Sequence, residues 1–191
     1  MMWRAMLLVV AWCSVANAQD LNQFFKGEDW ETTSSYKAPS GRYRVRIPSG
    51  MTPQTDQNDP DLVFMAGDTR GVQVSILIKR VKVTPGAAAS QLMLTTRDNH
   101  LAKLPNFSVM QTRKAKIADR NCVVMTGRYD YQANKGHPQV IEQAYVIDGS
   151  DGFIIHLEVP AYAYNDVQDR IREVYESFRP LSVAGPSGPK P

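Results

Sequence analysis

From residue 42 onward, apolar and polar positions alternate along much of the chain. In Arg42-Tyr43-Arg44-Val45-Arg46-Ile47 the side chains of Tyr43, Val45 and Ile47 take one side and three arginines the other, as a strand buried on one face requires. Pro48 ends the run. Leu62 to Ala66 and Val72 to Val81 predict two more strands, joined across Gly67-Asp68-Thr69-Arg70-Gly71. After Thr84-Pro85, a cap followed by proline, the period changes. Leu92, Met93, Thr96, His100 and Leu104 then fall on or near one stripe of a helix from Ala87 to Leu104. Phe107 to Ile117 and Cys122 to Tyr131 predict a hairpin about Ala118-Asp119-Arg120-Asn121, and Val140 to Asp148 with Gly152 to Val159 another across Asp148-Gly149-Ser150-Asp151. A last helix, capped by Asn165, carries Val167, Ile171, Val174, Tyr175 and Phe178 at helical spacing. Strands joined by tight turns with helices to cover them predict an α+β fold: an antiparallel sheet of about six to seven strands flanked by two main helices.

The ends have a different pattern. Met1 to Arg4 gives a positive start, Ala5 to Cys13 is continuously apolar, and Ala16-Asn17-Ala18 is a small-x-small cleavage signal before Gln19. This predicts a signal peptide over residues 1–18, its apolar run too short to span a bilayer, and a periplasmic or secreted product. Trp12 before Cys13 does not fit a lipoprotein signal, whose cleavage site needs a small residue there. Residues 19–38 read as a polar arm with few groups to bury, Trp30 packing on the domain's edge. Residues 39–182 form the domain, and the tail 183–191, rich in Gly and Pro, is expected to be disordered.

Composition then sharpens the picture. With 43% hydrophobic and 21% charged residues among 191, the chain has enough apolar content for one core, which excludes a disordered or polybasic protein. The net charge of +3 becomes +2 once the leader takes Arg4 with it. That balance, with export, argues against nucleic acid as a partner. Cys122 would be the only cysteine of the mature chain, and it sits in an apolar run as a small buried hydrophobe, so no internal disulfide is expected.

Searching for chemistry yields little. His100, His137 and His156 have no spacing that places two metal ligands on one face, and no Gly-x-Ser-x-Gly, phosphate loop or Cys-x-x-Cys occurs. Asp56, Asn58, Asp59 and Asp61 crowd oxygens into one loop. Yet Pro60, Asp61 and Gly67 stand where an EF-hand needs a ligand, a glycine and the closing glutamate, which favours a solvated loop. No cofactor or metal is expected.

Gly41-Arg42-Tyr43-Arg44-Val45-Arg46-Ile47-Pro48-Ser49-Gly50-Met51 near the start resembles the opening strand of the PsbP-like family, which includes the bacterial DcrB-type proteins. Gly152-Phe153-Ile154-Ile155-His156-Leu157-Glu158-Val159-Pro160, with the helix closing in Glu176-Ser177-Phe178-Arg179, is similar to that family's last strand and helix. The resemblance covers most of residues 36–181. It implies a compact sandwich that serves as an extracytoplasmic accessory or binding module. The metal-binding and photosystem-docking residues of plant PsbP have no match, so no photosynthetic role is carried over.

The basic residues give the one positive lead. Arg42, Arg44 and Arg46 share a strand face, and Lys79, Arg80, Lys82, Arg113, Lys114 and Lys116 lie on or just beyond strands that are candidate neighbours of it. Convergence would make a cationic surface for a protein or an anionic envelope component. The Pro160 to Asn165 loop, with Tyr162 and Tyr164, is a second candidate contact. Two function classes stay open: a non-catalytic exported binding module, and a small extracytoplasmic hydrolase or metal-dependent enzyme around His156 and Glu158.

Overall fold

The computed structural model describes residues 34–48, 51–69, 71–131 and 138–181. The expected leader, Trp30, His137 and the expected tail lie outside the described residues. Within them, ten strands fall into two antiparallel sheets: β1 (Ser34–Lys37), β2 (Tyr43–Ile47), β3 (Thr52–Asp56), β4 (Asp59–Thr69), β5 (Val72–Lys82), β6 (Ser108–Ile117), β7 (Arg120–Asp130), β8 (Pro138–Asp148), β9 (Asp151–Pro160) and β10 (Arg179–Pro180). The larger sheet has the order β3-β4-β5-β9-β8-β7-β6, and the smaller β1-β2-β10. Helices α1 (Ala89–Asn99) and α2 (Tyr164–Ser177) complete the α+β fold.

Both faces of the large sheet are covered. On one, β2 and α2 bring Tyr43, Val45, Ile47, Val167, Ile171, Val174 and Phe178 against Val63, Met65, Ile76, Phe153, Ile155 and Val124. Tyr43, Phe153 and Phe178 form an aromatic trio with centroids 5.3 to 5.9 Å apart. On the other, Met93 of α1 and Leu101 cover Met125, Tyr145, Ile141 and Ile154. This is why the central strands lack a clean alternation: β8 and β9 are buried on nearly every residue, as strands with layers on both sides must be. Only β2 keeps the strict pattern, because its outer face has no layer over it among the described residues.

Several boundaries move for local reasons. Ser34–Lys37, expected in the polar arm, form β1 by pairing with β2. Gly86 at φ 83° and the Ala87 N–H bond to Thr84 O make Thr84–Ala87 a turn, so α1 starts at Ala89 rather than Ala87. It ends before His100, and Leu101–Lys103 continue as a 3-10 turn. Strand β4 runs on to Thr69, with the reversal near Gly71 at φ 79°. Ala118 and Asp119, both at positive φ, make the tight β6–β7 turn, a backbone twist that matches the strands beside it. Helix α2 begins at Tyr164 after a 3-10 turn over Ala161–Ala163, and no side chain caps it, so the expected Asn165 cap is not made.

Candidate functional site

The outer face of the small sheet is the first site to consider. Alternation along β2 buries Tyr43, Val45 and Ile47 and exposes Arg44 and Arg46. Register then brings in residues that the sequence alone did not place there. Lys37 of β1 and Arg179 of β10 lie directly opposite Arg44, one on each side, and all three are exposed. Neighbouring strands stand roughly 4.8 Å apart, so three cations form a row across the sheet with Arg46 one pleat along it. The Arg179 guanidinium donates to the carbonyls of Phe178, at 2.8 Å, and Glu176. Lys37, Arg44 and Arg46 form no ion pair among the described residues.

The other expected basic residues go elsewhere, and those on β5 are neutralised. Arg80 lies 2.6 Å from Asp61 and 3.1 Å from Asp151, and Lys82 lies 2.7 Å from Asp151. Arg42 reaches the same Asp151 at 3.9 Å, which ties the start of the small sheet to the large one. Burial alone would raise the Asp151 pKa, and the hydrogen bonds from Lys82 and Arg80 outweigh it and hold it low. Lys79 pairs with Asp59 at 3.2 Å, so two carboxylates of the suspected calcium loop are taken by lysine and arginine; Asp56 accepts from the Asn58 N–H. Arg113, Lys114 and Lys116 stand on β6, the far edge strand of the large sheet. The nine basic residues therefore do not converge. What forms instead is the smaller row of Lys37, Arg44, Arg46 and Arg179.

The tyrosine loop also divides. Tyr162 is exposed, whereas Tyr164 turns inward, its hydroxyl donating to Glu142. Tyr164 is thereby corrected from a partner-facing side chain to a support of the fold. Glu142 is buried on the α2 face, where Arg113 Nη2 stands 3.6 Å from its other oxygen. Burial pushes the nearby Tyr175 hydroxyl well up, so it stays protonated.

On the α1 face lies a second polar cluster, around His156 and Glu158. The β8–β9 register sets His156 opposite Gln143 and Glu158 opposite Ile141. Gln143 Nε2 is 2.7 Å from His156 Nδ1, and the Tyr145 hydroxyl donates to Gln143 Oε1. The Gln143 amide NH2 faces Nδ1, and the other ring nitrogen, Nε2, is 3.6 Å from Glu158 Oε2. Tyr129 donates to the other Glu158 oxygen. Burial alone would raise the Glu158 pKa; the hydrogen bond and charge of His156, with the Tyr129 hydroxyl, leave it below the ordinary value. The structure thus joins His156 to Glu158 as an enzyme reading requires, but commits both to a chain of hydrogen bonds across β7, β8 and β9. Among the described residues no group of three or more His, Cys, Asp or Glu is arranged to hold a metal ion. Cys122 is buried, and burial raises its thiol pKa, which suits the small-hydrophobe reading.

No family profile and no curated protein matches the chain. Solved structures do. LpqN of Mycobacterium tuberculosis, described as involved in cell envelope biogenesis, superposes with a TM-score of 0.57 at 12% identity over 79% of this chain and 91% of its own. The Saccharomyces cerevisiae Ran-binding protein Mog1p gives 0.56 at 10% identity, covering 78% and 95%. The cyanobacterial PsbP of Synechocystis sp. PCC 6803 gives 0.55 at 12%, covering 82% and 96%. The fold is the PsbP/Mog1-like fold. That agrees with the resemblance carried by the first and last strands, and at these identities the likeness speaks for architecture alone. Among the described residues, no helix of this PsbP/Mog1-like domain is long and apolar enough to cross a membrane.

Proposed function

We propose that this chain is a non-catalytic exported binding module that holds a protein or an anionic envelope component against the outer face of its small sheet. The observation that carries the reading is the row of Lys37, Arg44 and Arg179 across three neighbouring strands. Like charges directly opposite one another in a sheet repel. Elsewhere the same fold sets strand cations against carboxylates, as with Lys82 directly opposite Asp151 and Arg80 beside Asp61. A face that tolerates repulsion in the free protein gains most when an anion is laid on it, and arginine's planar fork suits carboxylate and phosphate.

Two neighbours lend support by analogy: one is described as involved in cell envelope biogenesis and another as a Ran-binding protein, so the fold serves both an envelope process and a protein partner. The basic start, apolar run and Ala16-Asn17-Ala18 support export, with cleavage near Ala18/Gln19. The engagement of His156 and Glu158 with Gln143 and Tyr129 supports binding over the hydrolase alternative.

The test has two arms. Full-length chain expressed with a C-terminal tag should be recovered outside the cytoplasm with Gln19 as its first residue; an intact Met1 overturns export. Immobilised mature chain should capture envelope material at low salt, and a Lys37→Glu/Arg44→Glu/Arg46→Glu variant of unchanged circular dichroism should lose it. Capture undiminished by that variant overturns the cationic face.

A further inference from the structure

Resting on that reading, we propose that the anionic partner is an extended acidic polypeptide segment that joins the small sheet as a fourth strand along β1. The open edge carries the argument. Ala38 N–H donates to Tyr43 O at 3.0 Å, which marks 38 and 43 as a hydrogen-bonded pair. Such pairs alternate in an antiparallel ladder, so Tyr36 is bonded to β2 while the N–H and C=O of Ser35 and Lys37 point away from it. The far side of β2 agrees: Arg46, opposite Ser35, donates its N–H to Ser177 Oγ at 3.0 Å, away from β1. Among the described residues β1 pairs with β2 alone, in unbroken register.

The other three sheet edges are defended, β10 because it is two residues long and ends in Pro180. Strand β3 carries Pro53 and a register shift at Thr55/Asp56, and β6 carries a shift at Val109/Gln111 with Arg113, Lys114 and Lys116. On β1 the one charged group is Lys37, whose outward side chain belongs to the cationic row. A second copy of this edge would bring another lysine and no carboxylate to the cationic row. An acidic strand would set a carboxylate beside Lys37, and the next outward-facing one, roughly 6.6 Å on, beside the small Ser35, across which Arg46 has the length to reach. Alternate acidic residues are therefore the recognised pattern, main-chain bonds to Ser35 and Lys37 giving the strand its place.

Fluorescence anisotropy with the mature chain tests this. The probes are a labelled peptide of alternating Glu and Thr, an isomer with the same residues sorted into one Glu block and one Thr block, and phosphatidylglycerol vesicles. The alternating peptide should bind about tenfold tighter than its isomer, a difference the main-chain bonds can supply. Ser35→Pro removes an outward donor and leaves the β2 ladder intact; it should cost the alternating peptide about tenfold and leave the isomer unchanged, with Ser35→Ala retaining full affinity. Methylating alternate backbone nitrogens of the peptide should have the same effect without altering the protein. Equal binding of the two isomers, indifference to both Ser35→Pro and peptide methylation, or binding to vesicles alone each overturns strand addition while leaving the cationic face standing. Arg44→Glu that keeps native affinity for every anionic probe overturns the face itself.

Discussion

The two faces of the large sheet each hold one carboxylate on the β8–β9 hairpin, Glu142 buried under α2 and Glu158 half-buried on the side of α1. Glu142 is met by an arginine and a tyrosine hydroxyl, Glu158 by a histidine and a tyrosine hydroxyl. On the α1 side the hydrogen bond and charge of His156, with the Tyr129 hydroxyl, hold the Glu158 pKa below its ordinary value. The α2 face also holds the aromatic trio and the whole small sheet, while the α1 face is closed by a shorter helix and the turn after it. One side is therefore the mechanical bond of the domain, and the other is where acid will act.

The heaviest blow to that contrast is Phe178→Ala. It empties the centre of the trio, and urea unfolding should show a loss of about 3–5 kcal/mol; a loss below about 1 kcal/mol would mean the small sheet does not depend on this core. Glu142→Ala strips the Tyr164 hydroxyl and Arg113 of their acceptor, and a loss of about 2–3 kcal/mol is expected in the same measurement. On the α1 face, a Cβ added at Gly127 would stand 2.5 Å from the Phe107 ring and 3.2 Å from the Ser108 carbonyl. Gly127→Ala should cost about 1–3 kcal/mol, and a neutral result would mean the α1 face yields where the α2 face cannot.

Acid should act on the α1 face through Glu158. Because the Glu158 pKa lies below its ordinary 4.5, its ionised form stabilises the fold at neutral pH. That contribution begins to fade as pH falls past the ordinary value and is gone below the folded one. Glu158→Gln should therefore be less stable than the native chain at neutral pH, and the gap should close on acidification; a gap that widens would reverse the assignment. The smallest effect belongs to Lys82→Ala. Its side chain is 65% exposed, so despite the short bond to Asp151 the change should stay within about 0.5 kcal/mol.

Where burial falls on one side, the sequence speaks plainly. Strand β2 and the arginines on it are visible from alternation alone, and the tight turns at Ala118-Asp119 and Gly149-Ser150 place four more strands. Strands β1, β3 and β10 are not visible, since Ser-Ser-Tyr-Lys, Thr-Pro-Gln-Thr-Asp and Arg-Pro acquire strand geometry only by pairing with a partner. For the same reason Lys37 and Arg179 escape notice: their place beside Arg44 is a property of register, not of spacing. His156 and Glu158 share a side of β9 by simple alternation. Gln143 was within reach as well, because a two-residue turn at Gly149-Ser150 fixes Asp148 opposite Asp151, and counting back from it sets His156 against Gln143. Tyr129 lies one strand further, and Tyr164 was misread because nothing local tells a loop tyrosine that it has a buried carboxylate to find.

The place of β9 has a consequence for how the molecule is made. It is the second-last strand of the described chain, yet it lies between β5 and β8, so a chain emerging N-terminus first, from a ribosome or a translocation channel, has a β3-β4-β5 meander with one open side until residue 160 is free. The small sheet waits longer still, since β10 at Arg179–Pro180 is the last piece laid against β2. Contacts this distant in sequence close slowly. Such a chain stays threadable for most of its passage and becomes a folded body only near the end of it.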